Sequence, residues 1–172
     1  MDRLVKNLLD LSTLELNNSF TSSAVDLTAL VISVLQEFDE IIEAAAIRLT
    51  VNVQKGVHLQ ADEEKLRRVM INLIDNAIKY NFKENGEIHC FLESKNDRLR
   101  LEVYNSGQGI PAEELKLVFN QFYRVEKSRA SSMGGSDLGL TIVKRIVELH
   151  HGTIEIDSEH GSWVRVCIFL PV

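Results

Sequence analysis

Apolar residues recur at helical spacing in several stretches of the chain. Leu4, Leu8 and Leu11 lead an amphipathic helix over residues 4–16. Such a helix is marginal alone, so its apolar stripe needs a partner. The polar run 17–23 then reads as a linker. Asp26 is placed to cap a helix reaching about residue 46, with Leu27, Leu30, Val31, Val34, Leu35, Phe38, Ile41 and Ile42 as its apolar positions. Asp62 caps another, ending near Tyr80, with Leu66, Val69, Met70, Leu73, Ile74, Ala77 and Ile78 on one broad face. A last helix is expected over 138–150, stopped by Gly152.

Between these lie strand patterns. Segments 48–53 and 57–61 are short strand signals joined by a turn at Gly56. Segments 87–93 and 98–104 follow, the second alternating Leu99, Leu101 and Val103 inward with Arg100 and Glu102 outward. Gly107 and Gly109 break the chain, and Pro111 can start a short helix. Residues 126–136 are polar and aperiodic, the mark of a mobile loop. Segments 153–157 and 163–170 form a hairpin around Gly161. The expected fold is α+β: a two-layer α/β sandwich with a mixed sheet of about five strands, helices on one face, and one N-terminal amphipathic helix ahead of it.

Composition narrows the function. The chain has 172 residues, enough for one domain with a core, and a formal net charge of −6. That charge argues against a general nucleic-acid binder. No apolar run reaches the ~20 residues of a membrane helix. Cys90 and Cys167 sit in apolar runs without metal-site spacing and read as buried small hydrophobes, which fits a reducing cytosol.

Three segments carry candidate chemistry. Asn72, Asn76 and Lys79 share a face of the helix that begins at Asp62, and Tyr80 follows. An asparagine carbonyl oxygen suits Mg²⁺, and a lysine can hold a phosphate; an ordinary solvated face is the plain alternative. Next, the glycines of Asn105-Ser106-Gly107-Gln108-Gly109-Ile110 permit close backbone approach to a ligand, although such turns are common. Finally, Gly134-Gly135-Ser136-Asp137-Leu138-Gly139-Leu140 leads into a helix N-terminus, a phosphate cradle with Arg124, Lys127 and Arg129 before it. It has neither the glycine spacing of a dinucleotide fold nor the ending of a P-loop.

Taken in order, these segments resemble sensor histidine kinases. Asn72-Leu73-x-x-Asn76-Ala77-x-Lys79-Tyr80 is similar to their N box, Asn105-x-Gly107-x-Gly109-Ile110 to the first glycine box, Phe119-x-x-Phe122-Tyr123-Arg124 to the phenylalanine box, and Gly135-x-x-Leu138-Gly139-Leu140 to the second glycine box. Glu148-Leu149-His150 and Gly152 also match. The resemblance covers residues 24–172 as the ATP-binding domain, with 1–23 as the end of a dimerisation-hairpin helix and a linker. It implies the sandwich shared with gyrase and heat-shock chaperone ATPases, with Mg-ATP beneath a lid. By matched position, Asn76 would ligate Mg²⁺ beside Asn72. Lys79 would reach a phosphate, and Tyr80 would line the pocket. Asn105 would face the adenine amino group, with Gly107, Gly109 and Ile110 against the base. Arg124 and Arg129 would approach the terminal phosphates, and Gly135, Ser136, Leu138, Gly139 and Leu140 would wrap them. The implied partners are the chain's own phosphoacceptor hairpin, a response regulator and a second copy in the full-length protein. The implied location is the cytoplasm, with membrane anchoring only through other segments.

The sequence departs from that pattern at three places. Asn105 stands where the family has Asp, which keeps an acceptor but loses a charge. Asp137 stands where the family has Gly. It suits a helix N-cap, yet a carboxylate ~4 Å from a phosphate charge costs about 4 kcal/mol at an effective dielectric of ~20. No histidine is followed by an acidic residue and a proline, so the phosphoacceptor is expected outside this chain. An ATP hydrolase of this fold would need a Glu at position 72, and Asn72 is no general base. The remaining alternative is a degenerate domain of the same fold that senses nucleotide or binds a partner without catalysis.

Overall fold

The computed structural model describes residues 20–120 and 139–172. The expected helix over 4–16 and the expected mobile loop over 126–136 lie outside them.

Strand β1 (Ser23–Asp26) opens the described chain. It begins at the end of the polar run 17–23, where the sequence pattern predicts a linker and no strand. Only Val25 is buried, so the strand has no alternation to announce it, and its pairing is with β3 (His58–Ala61), far along the chain. The Asp26 carboxylate then accepts the Ala29 amide at 2.9 Å and caps helix α1 (Leu27–Ala44), as expected. Leu27, Leu30, Val31, Val34, Leu35 and Ile42 of α1 are buried, whereas Ile41 is 52% exposed.

Strand β2 (Arg48–Val53) does not pair with β3. The reason is local. The Thr28 hydroxyl donates to the Gln54 carbonyl and accepts the Val57 amide, and the Leu27 amide donates to the Val57 carbonyl. These bonds fasten the Gly56 turn to the start of α1 and send β3 towards β1. Helix α2 (Glu63–Lys79) is capped by Asp62, which accepts the Lys65 amide at 3.1 Å. It buries Leu66, Val69, Met70, Leu73, Ile74 and Ala77.

Strands β4 (Glu87–Lys95) and β5 (Arg98–Ser106) form a hairpin across Asn96 and Asp97, both at positive φ, a conformation asparagine and aspartate tolerate. Helix α3 (Gly139–Leu149) precedes β6 (Thr153–Glu159) and β7 (Trp163–Pro171). The main sheet runs β2-β4-β5-β7-β6, with β2 parallel to β4 and every other pair antiparallel. Leu99, Leu101 and Val103 point into the core beneath the helices, with Ile142, Val143 and Ile146 of α3 also buried. This is the two-layer α+β sandwich expected.

Two local expectations change. Residues 111–120 form successive turns rather than a helix: the amides of Glu114, Leu117 and Asn120 donate to the carbonyls of Pro111, Glu114 and Leu117. A segment this short cannot sustain its own helix without a burying partner. Cys167 is only half-buried, because its register opposite Glu102 and Glu155 places it on the outer face of the sheet, where its thiol donates to Glu102 at 3.2 Å. Burial raises the Cys90 thiol to about 12. Burial and the Glu102 carboxylate raise Cys167 to about 11, so neither is a ready nucleophile.

Candidate functional site

Helix α2 delivers the polar face that the sequence promised. Asn72, Asn76, Lys79 and Tyr80 are all half-buried along its second half. Asn72 donates its amide nitrogen to the Arg68 carbonyl at 2.9 Å, which fixes the orientation of that side chain. The Asn76 amide makes no side-chain hydrogen bond among the described residues. Lys79 donates to the Tyr80 hydroxyl at 2.9 Å and also lies 4.6 Å from the ring centroid, so the two side chains hold one another at the helix end.

The N-terminus of α3 meets this face. A Cβ added to Gly139 would come 3.3 Å from Asn72 Oδ1 and 3.6 Å from Asn76 Nδ2. A bare glycine therefore keeps the backbone of α3 against the two amides. Thr141 donates to the Phe119 carbonyl at 3.0 Å, and Lys144 lies over the Phe119 ring, so the end of the segment 111–120 is tied to the same helix.

The turn after β5 closes the other side. Asn105 is buried, with 7% of its surface exposed, and its side-chain amide nitrogen donates to the Ser106 carbonyl at 2.9 Å. Its oxygen is thereby left as the acceptor end. Gly107 passes so near α2 that a Cβ there would stand 2.0 Å from the Tyr80 carbonyl oxygen. Gly109 is at φ +63°, and its Cβ would stand 2.2 Å from the Glu159 carbonyl oxygen. The Gly107 amide donates to Ser162, the Gly161 amide to Gln108, and the Ile110 amide to Ser158 Oγ, which laces this turn to the β6–β7 hairpin.

Asn72, Asn76 and Gly139 are thus one cluster. Lys79, Tyr80 and Gly107 are a second, at the end of the same helix, and Asn105, Gly109 and Ile110 continue from it. Leu140 is half-buried in the first turn of α3. Arg124, Arg129, Gly135, Ser136 and Leu138 lie outside the described residues, as does Asp137. Asn81 lies outside the sequence motifs, and its side chain donates to the carbonyls of Ala77 and Glu87 and accepts from Phe82 N and Ser106 Oγ. The available signal was an asparagine just past a helix end, a residue that binds local backbone.

A half-buried amide with no side-chain partner among the described residues and a lysine at the same helix end suit a metal-bound phosphate chain, and a buried amide oxygen beside a glycine turn suits a base. Fold and lining together define a nucleotide-binding sandwich. Residues 61–172 match the family of histidine kinase-, DNA gyrase B- and HSP90-like ATPases, and the chain belongs to that family.

Its relatives are signalling kinases. The chain is 36% identical over 118 residues to the signal transduction histidine-protein kinase ArlS of Staphylococcus epidermidis, covering 69% of this chain and 26% of that protein. It is 30% identical over 174 residues to the sensor histidine kinase WalK of Bacillus subtilis, covering 99% of this chain and 28% of that one. The chain therefore spans little more than a quarter of these relatives' length. Among solved structures, the catalytic domain of histidine kinase ThkA superposes with a TM-score of 0.77 at 27% identity, covering 88% of this chain and 95% of that one. ThkA in complex with response regulator protein TrrA gives 0.80 at 26% identity, covering 99% and 46%. Among the described residues, no helix is long and apolar enough to cross a membrane.

Proposed function

We propose that this chain is the ATP-binding catalytic domain of a sensor histidine kinase, and that it directs the γ-phosphoryl of Mg-ATP to a histidine on a hairpin domain. The observation that supports this best is the meeting of Asn72, Asn76 and Gly139, which puts two amides and an open backbone in one place.

Bound Mg-ATP supplies the phosphoryl group and a cation that spreads its charge. The residues of this chain bind and orient. Asn76 would hold the metal through its carbonyl oxygen, with Asn72 supporting it. Lys79, steadied by the Tyr80 hydroxyl, faces a phosphate, and Tyr80 lines the wall. Asn105 accepts the adenine amine, and Gly107, Gly109 and Ile110 let the base lie against the backbone. By their positions in the sequence motifs, Arg124 and Arg129 would neutralise terminal phosphate charge, and Gly135, Ser136, Leu138, Gly139 and Leu140 would wrap it. The protein supplies position and charge, as suits phosphoryl transfer.

We assign residues 24–172 to this domain and 1–23 to the end of the hairpin helix and its linker. The last residues of the assigned linker pack on the domain. The Thr21 amide donates to Asp62 at 3.1 Å, and Phe20 meets His150 edge-on at 4.8 Å. In the parent protein we place the domain in the cytoplasm, as part of a homodimer that passes the phosphoryl group to a response regulator. The test is to mix this chain with a hairpin segment bearing the acceptor histidine and γ-labelled ATP. Label on the hairpin, lost in Asn76→Ala, is the expected result. Binding of ATP without any transfer would instead favour a nucleotide-sensing domain.

A further inference from the structure

The Asn105 side chain is an amide with two chemically opposite ends. A carboxylate at that position would present an acceptor in either orientation, but asparagine selects an amino-bearing base only if its oxygen is held outward. The structure contains the device that holds it. Asn105 Nδ2 is engaged by the Ser106 carbonyl at 2.9 Å. Ser106 is in turn fixed by its hydroxyl, which donates to Asn81 Oδ1 at 2.7 Å and accepts the Glu87 amide at 2.8 Å. Asn81 is anchored by its amide nitrogen, which donates to the Ala77 carbonyl at 3.1 Å and to the Glu87 carbonyl at 3.0 Å. Its oxygen also receives the Phe82 amide at 2.9 Å. Gly86 makes the room, since a Cβ there would come 2.6 Å from Asn81 Oδ1.

We propose that Asn81 is a specificity-positioning residue: acting through Ser106, it locks the Asn105 amide with its oxygen towards the base, so that the site prefers adenine to guanine nucleotides. The proposal rests on the assignment of Asn105 to the base. With the lock released, the amide can turn and offer its nitrogen to the guanine carbonyl. Damage to the fold alone would weaken both nucleotides equally, so the ratio separates the two explanations.

The experiment is calorimetric titration of the 172-residue chain with Mg-ATP and Mg-GTP, on the starting protein, Asn81→Ala, Ser106→Ala, Asn105→Asp and Asn81→Ala with Asn105→Asp. The expected result is a fall in the ATP-over-GTP preference of about five- to tenfold in Asn81→Ala, the scale of one hydrogen bond. The same substitution should leave the preference unchanged in the Asn105→Asp background, where both ends accept. If Asn81→Ala does not fold, Ser106→Ala decides by the same ratio. Equal weakening of both nucleotides, or the same loss of preference in the Asn105→Asp background, overturns the proposal. A starting chain that binds neither nucleotide overturns the nucleotide assignment itself, and this proposal with it.

Discussion

Gly107 lies against the carbonyl of Tyr80, with only 2.0 Å between that oxygen and the point where a Cβ would stand. The turn after β5 and the end of α2 therefore touch backbone to backbone. Any side chain at Gly107 must push them apart. Gly107→Ala should cost about 3 kcal/mol or more and lower the melting temperature by roughly 10 °C. It should also abolish nucleotide binding, because Tyr80 and Asn105 are displaced together. Thermal denaturation and ATP titration of the variant check this.

Gly139 presents a milder case. Its Cβ would be 3.3 Å from Asn72 Oδ1, a tight but not impossible contact. Asn72 is tethered to the Arg68 carbonyl and cannot easily give way. Alanine should gain up to about 1 kcal/mol of helix propensity at the start of α3. We predict that Gly139→Ala leaves the melting temperature unchanged or higher while Mg-ATP affinity falls about tenfold, one factor of ten being about 1.4 kcal/mol of binding energy. A stable variant with full affinity would place the metal elsewhere.

The helices were legible in the sequence because their signals are local. Asp26 and Asp62 precede unbroken apolar periodicities, and both serve as caps. The alternation of Leu99, Leu101 and Val103 likewise announced the central strand. What escaped was non-local. Strand β1 buries one residue and is defined by a partner more than thirty positions on, from Val25 to Leu59. The Asn81–Ser106 bond spans 25 positions, and the position of Asn81 just past a helix end signals local backbone bonding, not this distant partner. The candidate site residues stood out as motifs, but the contact of Gly139 with the α2 amides required the fold.

His150 gives the domain a pH dependence. It is 5% exposed, accepts the Asp62 amide on Nε2 at 3.1 Å and pairs Nδ1 with the Ile146 carbonyl at 2.7 Å. Burial holds its pKa below the usual histidine value. The Ile146 carbonyl and Asp62 pull the other way, and Lys65 and His151 reinforce the lowering. The folded state thus binds a proton less readily than the unfolded chain, so stability falls as pH drops below about 6.5. Asp62 adds a second loss. Burial raises its pKa, but bonds from Lys65 and Thr21 outweigh this and leave it lowered, so its contribution fades as pH falls below about 4. Melting curves across this range should show the first loss reduced in His150→Gln and the second retained.

Asp137 bears on affinity from sequence alone. A carboxylate next to a polyphosphate repels it, and solvent reduces the penalty. Asp137→Gly should therefore raise ATP affinity about tenfold, more at low salt than at high. Equal affinities for the two forms at low salt would show that the carboxylate stays clear of the phosphates.

Asn76 is the proposed metal-binding residue of a nucleotide site, and calorimetric titration of the chain with ATP, with and without Mg²⁺, tests that role most directly. The prediction is that ATP binds, that Mg²⁺ tightens binding, and that Asn76→Ala removes the Mg²⁺ effect while the protein stays folded. No ATP binding by the chain, or an undiminished Mg²⁺ effect in Asn76→Ala, would contradict it.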